Sequence, residues 1–477
     1  MLRSSFRKNS RLLLILIMVL ASVRVIAAGS ITLSTSSLPH FRGVYPGQFS
    51  DVQFYYVQAS GISQDLTITV NGPFKVSLDC MDQFSSSLTL SPSNGNISSK
   101  RIYVRFFPES TGQKQGTLTH QAGDAGPSTI SLSGQGISTT IPTGYYNSAT
   151  GQGSQLKTQL FMIINDQQPQ TYSSLWSHFR DSDATFTAKV WDMYSDKPCQ
   201  EPPYVFTFGE DQDTGSGGNV EGQYYNREHS VPQSWFESAM PMYTDMFHIF
   251  PTDKMVNGKR GNYPYGEVSN PSWTSQNGSK LGPNTTGGYS GTAFEPIDAY
   301  KGDIARGYFY MATRYEDDFP SWQGNGNASE VFENREFPGL KAWALEMFLA
   351  WHTQDPVSQK EIIRNQAIYE AQGNRNPFID HPEFAYRIWD ENYVSVSNPG
   401  LNKNFQLYPN PASDWIILEA PEGARSLDVY SLQGARILSR DLVGGANRIN
   451  TGDLEPGLYL LILNTVRETY HKKMLIQ

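Results

Sequence analysis

Hydrophobic and polar positions alternate along the first hundred residues after position 28. "DVQFYYVQA", "LTITV", "IYVRFF", "GTLTH" and "TISLSG" place β-branched or aromatic residues at every second position, with polar turns between them. That period predicts half-buried strands, and their spacing predicts a two-sheet sandwich over 29–137. From 144 to 395 the pattern changes. In "GLKAWALEMFLAWH", Leu340, Trp343, Ala344, Met347, Phe348 and Trp351 share one helical face. The next segment opens with Ser358 and Glu361 in capping-box spacing and stops at Gly373. Mixed helical and strand patterns predict an α+β domain with a helical shell. After 406 the pattern returns to strands punctuated by Gly and Pro, ending at 477. The expected order is therefore sandwich 29–137, linker 138–143, α+β domain 144–395, linker 396–405 and a small β-sandwich 406–477.

The N-terminus reads as a processing signal. Arg3, Arg7, Lys8 and Arg11 precede the apolar run Leu12 to Val23, and small residues follow near Ala27 and Ala28. The run is short for a membrane span and Arg24 interrupts it, so 1–28 is expected to be a cleaved leader of an exported chain, with no integral membrane segment in the mature protein. The formal net charge is −9, and −14 without the leader's five basic residues. This argues against broad electrostatic attraction to nucleic acid and leaves a local basic cleft open. Two cysteines, Cys80 and Cys199, exclude a disulfide scaffold. Their distance along the chain makes a bridge between them unexpected.

One stretch carries chemistry. "YYNREHSVPQSWF" sets Glu228 and His229 among aromatic and apolar residues. A buried carboxylate needs a partner, either a cation or an Arg. "DMFHIF" (245–250) predicts a second strand. "TDKMVNGKR" follows as a helix capped by Thr252 or Asp253. Asn257 on that helix completes a strand–strand–helix unit. Glu228 and Asn257 offer hard oxygen ligands to one divalent cation. Mg²⁺, which often takes only one or two protein ligands, suits them best, with Ca²⁺ or Mn²⁺ as alternatives. His229 would stand beside the metal as a general base, neutral at neutral pH. Neighbours in a strand face opposite ways, so the pair can share a site only where the strand bends or ends, and Pro232 favours an end. Taken alone, a Glu-His dipeptide is far more often a solvated or structural pair than a site.

Longer stretches add weight. "YNREHSVPQSWF", "TDMFHIFPTDKMVNGKRGNYPYGEV", "FEPIDAYKGDIARGYFYMATRY" and "IIRNQAIYEAQGNRNPFIDHPEFAYRIW" resemble, in order, the endonuclease I family of secreted non-specific nucleases, of the ββα-metal or His-Me finger class. The resemblance implies His229 as general base, Glu228 and Asn257 as metal ligands, and Arg260, Arg306 and Arg364 near the substrate or supporting the site. Some members carry a Cys-rich insertion between the His and the Asn that includes a phosphate-binding Arg. It is absent here, so the source of that Arg is open. His248, where relatives often have a different pair of residues, is expected to be structural. Arg227, Lys259, Arg260, Lys301, Arg306 and Arg314 are basic residues that either line a cleft or are simply solvated. "DQDTGSGG" (211–218) lacks the acid that would complete a calcium loop and reads as a plain loop.

Two flanking resemblances complete the picture. Residues 101–136 resemble the immunoglobulin-like modules that precede enzymes in exported bacterial proteins. "YPNPA" (408–412), "PGLYLLIL" (456–463) and "KKMLIQ" (472–477) resemble the C-terminal sorting domain of the type IX secretion system, which implies that machinery as a partner. The expectation is a secreted, metal-dependent endonuclease acting on DNA and RNA with little sequence preference. Two rivals stand beside it: an adhesin whose nuclease-like domain is silent, and a metallophosphodiesterase for small molecules.

Overall fold

A computed structural model of the chain describes residues 29–123, 125–138, 141–390, 406–408, 412, 415–420, 424–431, 435–442, 445–465 and 469–476. The leader at 1–28, the linker at 396–405 and part of the linker at 138–143 lie outside the described residues. The chain divides into two compact units, Met1–Trp389 and Asp390–Gln477.

The alternation at 29–137 does form two facing sheets. One holds strands Ser30–Leu33, Gln53–Ser60, Asn96–Phe106 and Phe74–Ser77. The other holds Phe41–Val44, Ala125–Gly136, Gly112–Ala122, Leu66–Asn71 and Ser87–Leu90. Their inward residues, among them Phe41, Val57, Ile68, Phe74, Val104, Phe106 and Ile130, make one core. Phe74 and Phe106 meet with ring centroids 5.0 Å apart.

Residues 149–389 enclose a second, larger core. Its centre is the helix Lys301–Arg314, in which Ile304, Ala305, Tyr308, Phe309, Tyr310, Met311 and Ala312 are all buried. The helix is buried on every side, its polar Lys301, Asp303, Arg306 and Thr313 included, so other elements surround it. The helix Ala342–Gln354 covers one side through Trp343, Ala344, Met347, Phe348 and Trp351, the face its periodicity predicts. The helix Gln359–Gln372 starts at the expected capping box of Ser358 and Glu361 and ends at Gly373, whose φ of 85° is left-handed.

The first sandwich is not a free spacer. Cys80 and Cys199 form a disulfide with Cα atoms 5.8 Å apart, which corrects the expectation from sequence. Separation of 119 residues along the chain says nothing about distance once the sandwich docks on the α+β domain. Around the bridge, Arg101 Nη1 (2.5 Å) and Tyr103 Oη (3.2 Å) donate to the Cys199 carbonyl. The Gln359 amide donates to the Gly43 carbonyl, and the Phe41 ring meets Phe186 at 6.1 Å.

The second unit has a three-stranded sheet (Gln406–Tyr408, Trp415–Ala420, Gly445–Asn450) and a four-stranded one (Arg436–Asp441, Ala424–Ser431, Gly457–Thr465, Thr469–Ile476). Ile416, Leu418, Leu427, Val429, Leu461 and Leu463 form its core. Among the described residues no helix is long and apolar enough to cross a membrane.

Candidate active site

Strand Tyr225–His229 pairs antiparallel with strand Ile249–Asp253, Glu228 opposite Phe250 and His229 opposite Ile249. The second strand starts later than its sequence pattern predicts. Met246–His248 is a turn of 3₁₀ helix because the Asp245 side chain accepts from Phe247 N and anchors that turn. Tyr310, Tyr315, Gln167 and Gln372 all donate to the same carboxylate. Thr252 lies in the strand, and Asp253 caps the helix Lys254–Arg260 by accepting from Val256 N at 2.9 Å.

The first strand ends at His229, as a site shared by its last two residues requires, and those two side chains take different partners. Glu228, 2% exposed, points toward Tyr194, Tyr265 and Arg260. Its Oε1 accepts from Tyr194 Oη at 3.0 Å and lies 3.2 Å from Arg260 Nη1. Burial pushes the carboxyl up to about 7, against the pull of Arg260 and the two phenols. His229, 5% exposed, points the other way. Its Nε2 is 3.1 Å from the Tyr243 carbonyl and its ring lies nearly parallel to that of Tyr243, centroids 5.5 Å apart. A carbonyl only accepts, so Nε2 carries the proton and Nδ1 is left as the acceptor. Burial holds the imidazole down to about 3, helped by His248 nearby.

Helix Lys254–Arg260 lies along the strand. Asn257 and Arg260, one turn apart, share a face. Asn257 Nδ2 donates to Asn226 Oδ1 (2.8 Å) and to the Arg227 carbonyl (3.4 Å). Both contacts use the amide nitrogen and neither uses Oδ1. Arg260 Nη1 donates to the His229 carbonyl at 2.8 Å, and Nη2 to the Ser230 carbonyl. No direct bond joins Glu228, His229 and Asn257. Arg260 and the helix that carries it fix their relation.

The three arginines expected near the substrate face inward. Arg260 is occupied as described. Arg306, with 0% exposure, forks onto Glu361 and also meets His352 Nδ1 and the Asp355 carbonyl. Arg364 donates to Asp183 and to the Met246 and Ile249 carbonyls, so it holds the turn before the second strand. Arg306 and Arg364 are thus held among buried acids and carbonyls, which favours the supporting role of the two that the resemblance implies. A guanidinium satisfied by buried acids and carbonyls has no face for a phosphate. His248 is buried with Nε2 on the Met242 carbonyl, a packing role. Tyr194, Tyr265, Asn226 and Tyr243 escaped the sequence reading. Tyr243 acts through its main chain, which leaves no signature in residue type.

Residues 152–383 match the family model described as Endonuclease I, and 406–477 match the Secretion system C-terminal sorting domain. The chain is 35% identical over 257 residues to "Extracellular ribonuclease" of Bacillus amyloliquefaciens, covering 51% of this chain and 78% of that one. The chain belongs to the Endonuclease I family. An "Extracellular ribonuclease" of Bacillus subtilis (strain 168) is 33% identical over the same shares of the two chains. An "Extracellular deoxyribonuclease" of Aeromonas hydrophila is 30% identical over 28% of this chain and 49% of its own. This Endonuclease I family nuclease is a secreted phosphodiesterase that carries a C-terminal sorting domain.

Proposed function

We propose that this chain hydrolyses the phosphodiester backbone of RNA and DNA with little sequence preference, His229 being the general base. The supporting observation is the His229–Tyr243 hydrogen bond. It assigns the proton to Nε2, and burial keeps the ring neutral, so Nδ1 is ready to accept a proton from water. The imidazolium that results keeps its Nε2–H on the Tyr243 carbonyl. The negative charge of a bound phosphodiester offsets the cost of forming it in a buried place.

The residues present fit a divalent cation. Glu228 and the side-chain carbonyl of Asn257 are both hard oxygen donors. Among the described residues no group of three or more His, Cys, Asp or Glu side chains could hold a metal. With two protein donors, Mg²⁺ would keep water and phosphate oxygens as its other ligands. When bound there, the cation would neutralise charge on the phosphate and leaving oxygens. Tyr194, Tyr265 and Arg260 hold Glu228 in place for it.

Both nucleic acids are proposed as substrates because similar proteins bear both names, extracellular ribonuclease and extracellular deoxyribonuclease. The test is hydrolysis of single- and double-stranded DNA and RNA by the full chain, with and without chelator. Cleavage of both polymers that stops with chelator and returns with Mg²⁺ is the expected result. Cleavage that survives chelation would remove the cation from this reading.

A further inference from the structure

Phosphodiester hydrolysis asks for a cationic side chain with a face turned to the phosphate, and Arg260, Arg306 and Arg364 are each spent on buried partners. Resting on the nuclease reading above, we propose that Arg227 engages a phosphate oxygen of the substrate bound at His229.

Arg227 is two residues before His229 in the same strand. The two side chains therefore emerge on one face, with Cα atoms about 7 Å apart. Glu228 between them goes to the opposite side with Tyr194 and Tyr265. The Arg227 guanidinium lies between two aromatic rings, 3.5 Å from the Tyr172 centroid and 4.3 Å from that of Trp176. Its Nη1 donates to the Tyr172 carbonyl at 2.5 Å. Tyr172 in turn stacks on Tyr243 at 4.5 Å, and Tyr243 on His229 at 5.5 Å. Tyr172, Tyr243 and His229 thus form one cluster of near-parallel rings, Tyr172 also lying 6.2 Å from the proposed base, and Arg227 packs on Tyr172 at the edge of that cluster. Whatever fixes the imidazole also fixes the guanidinium.

The charge is not consumed. Among the described residues no carboxylate pairs with Arg227. Asp213, the acid whose field it feels, already binds Lys254 Nζ at 2.8 Å. The residue is half-buried, so its planar face is supported and part of it meets solvent. A guanidinium held flat before the substrate arrives loses little entropy on gripping two phosphate oxygens. Such a grip reads the backbone and no base, which agrees with low sequence preference.

The experiment compares full-length wild type, Arg227→Gln and Arg227→Lys. Binding of a labelled single-stranded oligonucleotide is measured across a salt series with chelator present, and single-turnover hydrolysis with Mg²⁺. Loss of one phosphate contact should lower the slope of log K against log salt by about 0.7 in Arg227→Gln. The hydrolysis rate should fall by about 10²-fold or more, the scale of losing one transition-state donor. Arg227→Lys should keep the slope, since the charge stays, and recover only part of the rate, since the fork is lost. Wild-type slope and rate in Arg227→Gln overturn the proposal. So does a loss that matches the fraction of variant unfolded by circular dichroism, which would make Arg227 only a clamp on Tyr172. If wild type binds the oligonucleotide yet cuts nothing, the nuclease mechanism fails and the slope still decides Arg227. If wild type does not bind at all, both fall.

Discussion

His229 Nε2 donates to the carbonyl of Tyr243 at 3.1 Å, a residue fourteen positions away whose own ring lies against the imidazole. Main chain and side chain of one tyrosine thus set both the tautomer and the tilt of the base. His229→Ala should lower turnover by roughly 10²–10⁴-fold. Binding of Mn²⁺, followed by its electron paramagnetic resonance signal, should stay as in wild type, because Glu228 and Asn257 remain. Glu228→Ala and Asn257→Ala should instead shift the Mn²⁺ titration to higher concentration. A His229→Ala variant that keeps its rate, or moves only the metal curve, would reassign the base.

Asn226 orients Asn257 by accepting from its Nδ2 at 2.8 Å. Asn226→Leu removes that acceptor and frees the amide to turn its nitrogen toward the cation. Metal affinity should drop about 10- to 100-fold, the usual effect of losing a partner behind a ligand. Asn226→Asp keeps the acceptor and should restore most of it. Calorimetric titration with Mn²⁺ measures both, and equal affinities in the two variants would remove Asn226 from this role.

Much of this was legible in the residues. The period-two strands, the apolar face from Leu340 to Trp351 and the Ser358–Glu361 capping box read directly, because each rests on local geometry. Glu228, His229 and Asn257 could be singled out together only through the resemblance to endonuclease I sequences, since a compact strand–strand–helix spacing alone is more often structural. What failed to read was long-range. Arg306 and Arg364 look like solvated or substrate-facing cations in sequence, and only the fold brings Glu361 and Asp183 against them. The turn at Met246–His248 looks like a strand, because nothing local announces the four side chains that converge on Asp245.

Arg306 provides the contrast with Arg227. Arg306→Ala strands Glu361 in the interior without its fork, which should destabilise the fold by about 3–5 kcal/mol. At temperatures where the variant stays folded, the salt slope of nucleic-acid binding should match wild type. Chemical denaturation and the binding series together check this. A flattened slope would return Arg306 to the substrate.

His352 gives a pH dependence. Its Nδ1 meets Arg306 Nη1 at 3.2 Å and its Nε2 the Pro382 carbonyl at 3.0 Å, so protonation would set N–H against N–H. Burial, then the Arg306 charge, hold it down to about 4. The unfolded chain, with a histidine pKa near ~6.5, binds the proton first. Stability from this group is therefore present above about 6.5 and lost as pH falls toward 4, at about 1.4 kcal/mol per pH unit. His352→Gln should flatten the denaturation free energy between those limits by about 2–3 kcal/mol in total. An unchanged acid limb in the variant would assign the loss to other groups.

The bridge from Cys80 to Cys199 spans the junction at 138–143. A protease that cuts there severs the polypeptide without releasing anything. The amino-terminal sandwich stays covalently tied to the catalytic part, and the nicked molecule keeps the mass of the intact one apart from a single added water. Only a thiol would split it into two bands on a denaturing gel. Wherever such an enzyme meets proteases outside the cell, a cut at that junction is silent until reducing conditions are met.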